Sequence, residues 1–198
     1  MLCALRGSPS LVALRANCVA GGAEAARRFG GLLRSCPRLA DLDVSGNALT
    51  GASSLLPISR PALLRIAIRS SILSTSAGAG VARLARGLAD SVGSARVLRL
   101  SRADADDSAA HALALALRSP GGARLALLDV SNNAIGCDGA RALAAACRTP
   151  HGRARLRVLD LRGWFLPRGD RGAEELRAAE AAAGGTLSVL LEGAPDDA

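Results

Sequence analysis

Leu125-Ala126-Leu127-Leu128-Asp129-Val130-Ser131-Asn132-Asn133-Ala134-Ile135 decides how the rest of this chain is read. Aliphatic residues stand at its first, fourth, sixth and last places, with an asparagine two residues before the end. A run with apolar residues at helical spacing follows, through Gly139, Ala140, Leu143 and Ala144. The same phrase returns at Leu39-Ala40-Asp41-Leu42-Asp43-Val44-Ser45-Gly46-Asn47-Ala48-Leu49, and Leu156-Arg157-Val158-Leu159-Asp160-Leu161 opens a third copy. Recurrence at a long period marks stacked units, none of which can bury its apolar face alone. Such a chain presents an extended surface sooner than a catalytic pocket.

The fourth place of the phrase serves as a register mark. It falls at Val12, Leu42, Ile66, Leu98, Leu128, Leu159 and Val189, about 24 to 32 residues apart. The sixth place holds Leu14, Val44, Ile68, Leu100, Val130, Leu161 and Leu191; the last copy can also be registered on Leu187 and Val189. The asparagine place holds Asn17, Asn47, Ser71, Ala103, Asn133 and Trp164, so its amide is expected to be lost in three copies. Between these strands, helices are predicted over 23–36 (Ala26, Phe29, Leu32, Leu33), 81–92, 109–118, 140–148 and 173–183, each with an apolar stripe. Ser76, Asp106, Asp138 and Asp170 are candidate N-caps. Pro57 and Pro61 leave the second copy room only for a turn or short helix at 53–59.

This alternation resembles the ribonuclease-inhibitor-like subclass of leucine-rich-repeat proteins, over nearly the whole chain and most clearly in the second, fifth and sixth copies. The resemblance implies an α/β fold: a leucine-rich-repeat solenoid shaped as a short right-handed β-α horseshoe, with a parallel sheet on the concave face and helices on the convex face. It implies one domain over 1–198, of about six repeats and a terminal strand. Residues 4–9 echo 116–120, the end of a repeat helix, so 1–8 read as a partial repeat. No dedicated cap is evident at either end, so the expectation is either a truncated product or another subunit that covers one of the ends. Members of the family mostly bind other proteins.

Composition narrows the function classes. Of 198 residues 49% are hydrophobic but only 2% aromatic, so small aliphatic side chains must fill the core. The net charge of +8 comes from 25 basic residues, all arginine. With no lysine there is no phosphate-loop lysine, no Schiff base and no kinase-type ATP lysine. The arginine, alanine and glycine bias with missing lysine and tyrosine fits GC-rich coding, which discounts the basicity as a sign of polyanion binding. The scarcity of aromatic stacking platforms also argues against nucleic acid. Five cysteines, Cys3, Cys18, Cys36, Cys137 and Cys147, form no C-x-x-C pair. An odd count argues for an intracellular, reducing compartment. Cys36 and Cys147, each ending a helix shortly before a proline, read as core fillers. No run reaches the ~18 apolar residues that span a bilayer. Residues 1–23 carry Arg6 and Arg15 and no acid, a partial likeness to a mitochondrial presequence that the repeats explain better.

Outward residues of the strands are the candidate partner-binding set: Arg65, Arg69, Arg99 and Arg102, flanked by Asp43, Asp129, Asp160 and Arg162. The arginines form a basic patch suited to bidentate contacts with an acidic segment. The same residues also suit a solvated charge ladder, with Arg99 opposite Asp129 and worth about 0–1 kcal/mol. Trp164 and Phe165 stand either as loop hot spots or as a plug of the core. Arg168-Gly169-Asp170 reads as a turn and helix cap. Asp104-Ala105-Asp106-Asp107 lacks the glycine and glutamate of a calcium loop. His111 and His151 are far apart and have no nucleophile or ligand partner at a motif spacing. No catalytic, metal or cofactor-binding residue is therefore expected. The sequence points to a non-enzymatic protein–protein interaction module, a scaffold or subunit. The alternative is a regulator of an enzyme, such as an activator of small GTPases of the Ran-directed kind.

Overall fold

The computed structural model describes residues 7–18, 21–49, 64–69, 71, 79–89, 95–119, 124–149, 155–163 and 170–191. Trp164, Phe165, Ser76, His151 and the predicted turn at 53–59 lie outside these residues.

Seven three-residue strands make one sheet: β1 (Ala13–Arg15), β2 (Asp41–Asp43), β3 (Arg65–Ala67), β4 (Val97–Arg99), β5 (Leu127–Asp129), β6 (Val158–Asp160) and β7 (Ser188–Leu190). Every pairing is parallel and joins neighbours in sequence. The middle residues Leu14, Leu42, Ile66, Leu98, Leu128, Leu159 and Val189 align in one row, and all are buried. Alternation sends these aliphatic side chains to one face and their neighbours to the other. Each buried leucine contributes about 1.5–3 kcal/mol relative to exposure, so a slip by one residue would forfeit the whole row.

The helices are α1 (Gly22–Ser35), α2 (Ala79–Ala89), α3 (Asp107–Arg118), α4 (Cys137–Cys147) and α5 (Arg171–Ala182). Their inner residues, among them Phe29, Leu84, Leu113, Leu143 and Leu176, join the strand row in one core. The helices therefore cover one face of the sheet, and α2 through α5 pack side by side. The protein is thus α/β with an all-parallel sheet. Cys36 and Cys147 are buried in the core, and burial pushes the Cys147 thiol up to about 11. Among the described residues, no helix is long and apolar enough to cross a membrane.

Three expectations need correction. The first copy registers on Leu14 and not on Val12: Leu14 pairs with Leu42, whereas Val12 is 47% exposed. Leu11-x-x-Leu14 has the spacing of Leu39-x-x-Leu42 and was the signal for it. Asn17 consequently leaves the asparagine place and lies on the open face. The last copy does register on Val189, opposite Leu159. Secondly, Asp138 is not an N-cap. It lies in the first turn of α4, behind N-cap Gly136, and the cap comes from Asp107 of α3, whose Oδ1 accepts Gly136 N–H (2.5 Å) and Gly139 N–H (3.1 Å). Asp106 and Asp170 cap their own helices as expected. Thirdly, the polar role at Ser71 survives in part. Its hydroxyl lies within donating distance of Arg69 O (3.2 Å) and Val44 O (3.5 Å).

Where asparagine is kept, it ties adjacent strand exits together. The Asn133 amide donates to Leu100 O (2.9 Å) and Val130 O (2.8 Å), while its oxygen accepts from Ala103 N (2.9 Å) and Ala105 N (3.0 Å). Asn47 donates to Ala16 O (2.7 Å) and Val44 O (2.6 Å). Buried backbone groups that leave the ladder at each strand end are satisfied this way.

Helix spacing is set by small residues. A Cβ on Gly139 would stand 2.8 Å from Ala110 Cβ and 2.5 Å from the capping Asp107 oxygen, and one on Gly172 would stand 2.8 Å from Ala140 Cβ. Gly139→Val is expected to lower stability by about 1–3 kcal/mol through overpacking and loss of the cap. A denaturant midpoint unchanged from the parent would show that α3 and α4 do not meet this closely.

Candidate functional site

The sheet face away from the helices carries the residues on either side of the buried row. Over β1 to β4 they form a groove of about 540 Å³. Arg15, Arg65, Arg69 and Arg99 line it together with Asp41 and Asp43, so four guanidiniums face two carboxylates. Ala67 and Val97 supply its short aliphatic floor. The sequence-predicted Arg65, Arg69 and Arg99 do come together, and Arg15 and Asn17 join them. The misplaced register of the first strand hid Asn17 at the asparagine place, whereas Arg15 faces outward in either register.

Ion pairs in the groove run toward the N-terminal neighbour. Arg65 lies 3.8 Å from Asp41, and Arg69 lies 3.7 Å from Asp43. These pairs are long and the arginines exposed, so each contributes about 0–1 kcal/mol and leaves the guanidinium available. Arg99 stands opposite Asp129 in register, yet no ion pair joins them among the described residues. Asp129 instead accepts the N–H and hydroxyl of Ser131, at 3.0 and 2.7 Å. The charge ladder expected between β4 and β5 is therefore not formed.

The aspartates serve the backbone first. Asp43, Asp129 and Asp160 each accept the N–H two residues on, from Ser45 (3.0 Å), Ser131 (3.0 Å) and Arg162 (3.1 Å). These Asx turns shape the strand exits. Asp160 is also gripped by Arg162, through Nε (3.0 Å) and Nη2 (2.8 Å). In the C-terminal half Asp160 is thus neutralised by Arg162 while Asp129 has only Ser131, and the arginines of the groove gather in the N-terminal half.

Partial burial works against ionisation at Asp43. The Ser45 hydroxyl and N–H, the Arg69 guanidinium and the Asn17 amide outweigh it and hold the carboxyl below its ordinary value. At Asp160 burial is likewise the largest single influence, and Arg162 overcomes it through side-chain and backbone hydrogen bonds. Carboxyls depressed in the folded state add stability that is complete above their unfolded values, about pH 5 and upward. That stability drains away as pH falls through the lower folded values. Denaturant midpoints are therefore expected to hold steady down to about pH 5 and drop below about pH 4. In Asp43→Asn the acid-side drop should be shallower. An equal drop in that variant would mean Asp43 gains nothing by folding.

A second cavity of about 490 Å³ lies at the strand exits and shares Arg69 and Asn17 with the groove. Arg102 opens into this one, beside Ser101 and Asn132. Arg102 (φ 54°) and Asn132 (φ 55°) occupy equivalent left-handed positions, at the turn where the chain leaves each strand. The conformation costs a non-glycine residue about 1–2 kcal/mol and leaves both side chains exposed.

Among the described residues, no three His, Cys, Asp or Glu side chains are grouped to hold a metal ion. His111 is exposed on α3, its Nδ1 2.8 Å from Asp107 O. A scan against protein-family models and a search of curated proteins return no match to this chain.

Proposed function

We propose that this chain is a non-enzymatic protein-interaction module, a short leucine-rich-repeat solenoid of the ribonuclease-inhibitor-like kind. Its concave face takes an acidic segment of a protein partner. The observation that carries this reading is the open, arginine-lined half of the seven-stranded sheet, with two carboxylates set against four guanidiniums. The strand-to-neighbour order and the asparagine ties of Asn47 and Asn133 support the repeat reading. Arginine presents a planar fork of donors that matches carboxylates bidentately. The short aliphatic floor lets the partner's backbone approach. Ribonuclease inhibition itself is disfavoured, because a basic target calls for an acidic face.

The test is titration of the purified protein with a glutamate-rich peptide at rising ionic strength. Binding that weakens steadily with salt supports the reading, since exposed charges are screened within about 10 Å at 0.1 M. A lysine-rich peptide binding as well as the glutamate-rich one would contradict it. Turnover of GTP by a small GTPase that rises on adding this protein would favour the regulator reading instead.

A further inference from the structure

The two cavities differ in chemistry, although they share Arg69 and Asn17. The groove over the strands mixes arginines with Asp41 and Asp43. Among the described residues, no aspartate or glutamate lines the exit cavity, which holds Arg69 and Arg102 with the hydroxyl of Ser101 and the amide of Asn132. Among the described residues, the side chains of Ser101, Arg102 and Asn132 carry no hydrogen bond or ion pair. A carboxylate brings only two oxygens and a single negative charge to such a set. A phosphoryl group brings three acceptor oxygens and about −1.5 to −2 charges.

Resting on the partner-binding reading above, we propose that the partner segment is phosphorylated. Its phosphoryl group sits in the exit cavity between Arg69 and Arg102, while neighbouring carboxylates lie over Arg65 and Arg99. Forked arginine donors and neutral hydroxyl and amide donors together satisfy a dianion that a single ion pair leaves half-solvated. Nucleic acid fits this face less well. Among the described residues, neither cavity is lined by an aromatic side chain on which a base could stack, and Asp41 and Asp43 would repel a continuous phosphate backbone.

The experiment compares a glutamate-rich peptide with one central serine, in unmodified and phosphorylated forms, against the whole chain by fluorescence anisotropy. The phosphorylated form is expected to bind about tenfold tighter. In Arg102→Gln the ratio between the two forms should fall toward one. In Arg99→Gln both forms should weaken together and the ratio should stand. Equal affinity of the two peptides for the parent protein would overturn the phosphoryl site while leaving the acidic-segment reading intact. Failure of both to bind would overturn both. A single-stranded oligonucleotide binding more tightly than the phosphorylated peptide would also overturn the proposal, in favour of nucleic acid.

Discussion

Asn133→Ala is expected to lose about 3–5 kcal/mol of stability, among the largest effects of any polar substitution in this chain. One amide serves two carbonyls and two N–H groups that belong to adjacent strand exits. Truncation strands several buried backbone groups at once, and each unsatisfied group costs about 1–3 kcal/mol. Relaxation and entering water recover part of that sum, which sets the range given. Asn133→Asp should also destabilise, because a carboxylate can accept from Ala103 and Ala105 but cannot donate to Leu100 O or Val130 O. Denaturant unfolding of both variants measures this. A loss below about 1 kcal/mol in Asn133→Ala would mean that the strand exits do not depend on the amide.

Arg65→Glu with Arg99→Glu is expected to weaken binding of the glutamate-rich peptide about hundredfold or more. Both side chains are exposed on the groove, so reversal leaves the core alone. The pair of substitutions turns four guanidiniums against two carboxylates into two against four. Attraction becomes repulsion, and like charges across an interface cost several kcal/mol. Circular dichroism should be unchanged, and the same variant should begin to bind a lysine-rich peptide. Retained affinity for the acidic peptide would place its site elsewhere on the molecule.

Most of the fold was legible because the physical signals repeat. Leu42, Leu98, Leu128 and Leu159 stand in copies whose flanking residues agree, and all four align in the buried row. The error at β1 arose where the phrase has decayed. Val12 and Leu14 satisfy a two-residue alternation as well as Leu14 and Ala16 do, and only pairing with Leu42 and Asp43 separates them. Misreading that strand put Asn17 at the asparagine place and off the open face; Arg15, outward in either register, was left out with the rest of the first copy. Long-range caps were equally hidden. Asp107 and Gly136 are 29 residues apart, and no local propensity links an aspartate in one helix to the N-terminus of the next. Asp43, Asp129 and Asp160 were read as contact residues from their outward positions, which is where they stand. Their engagement with the turn N–H groups depends on strand-exit geometry that one-dimensional spacing does not encode.

The most direct test is nuclear magnetic resonance of the arginine Nε–H groups during titration with the glutamate-rich peptide. The account predicts the largest shifts at Arg65, Arg69 and Arg99, with those of Arg141 and Arg148 on the helical side unmoved. Shifts concentrated at Arg141 and Arg148, with the sheet arginines silent, would contradict it.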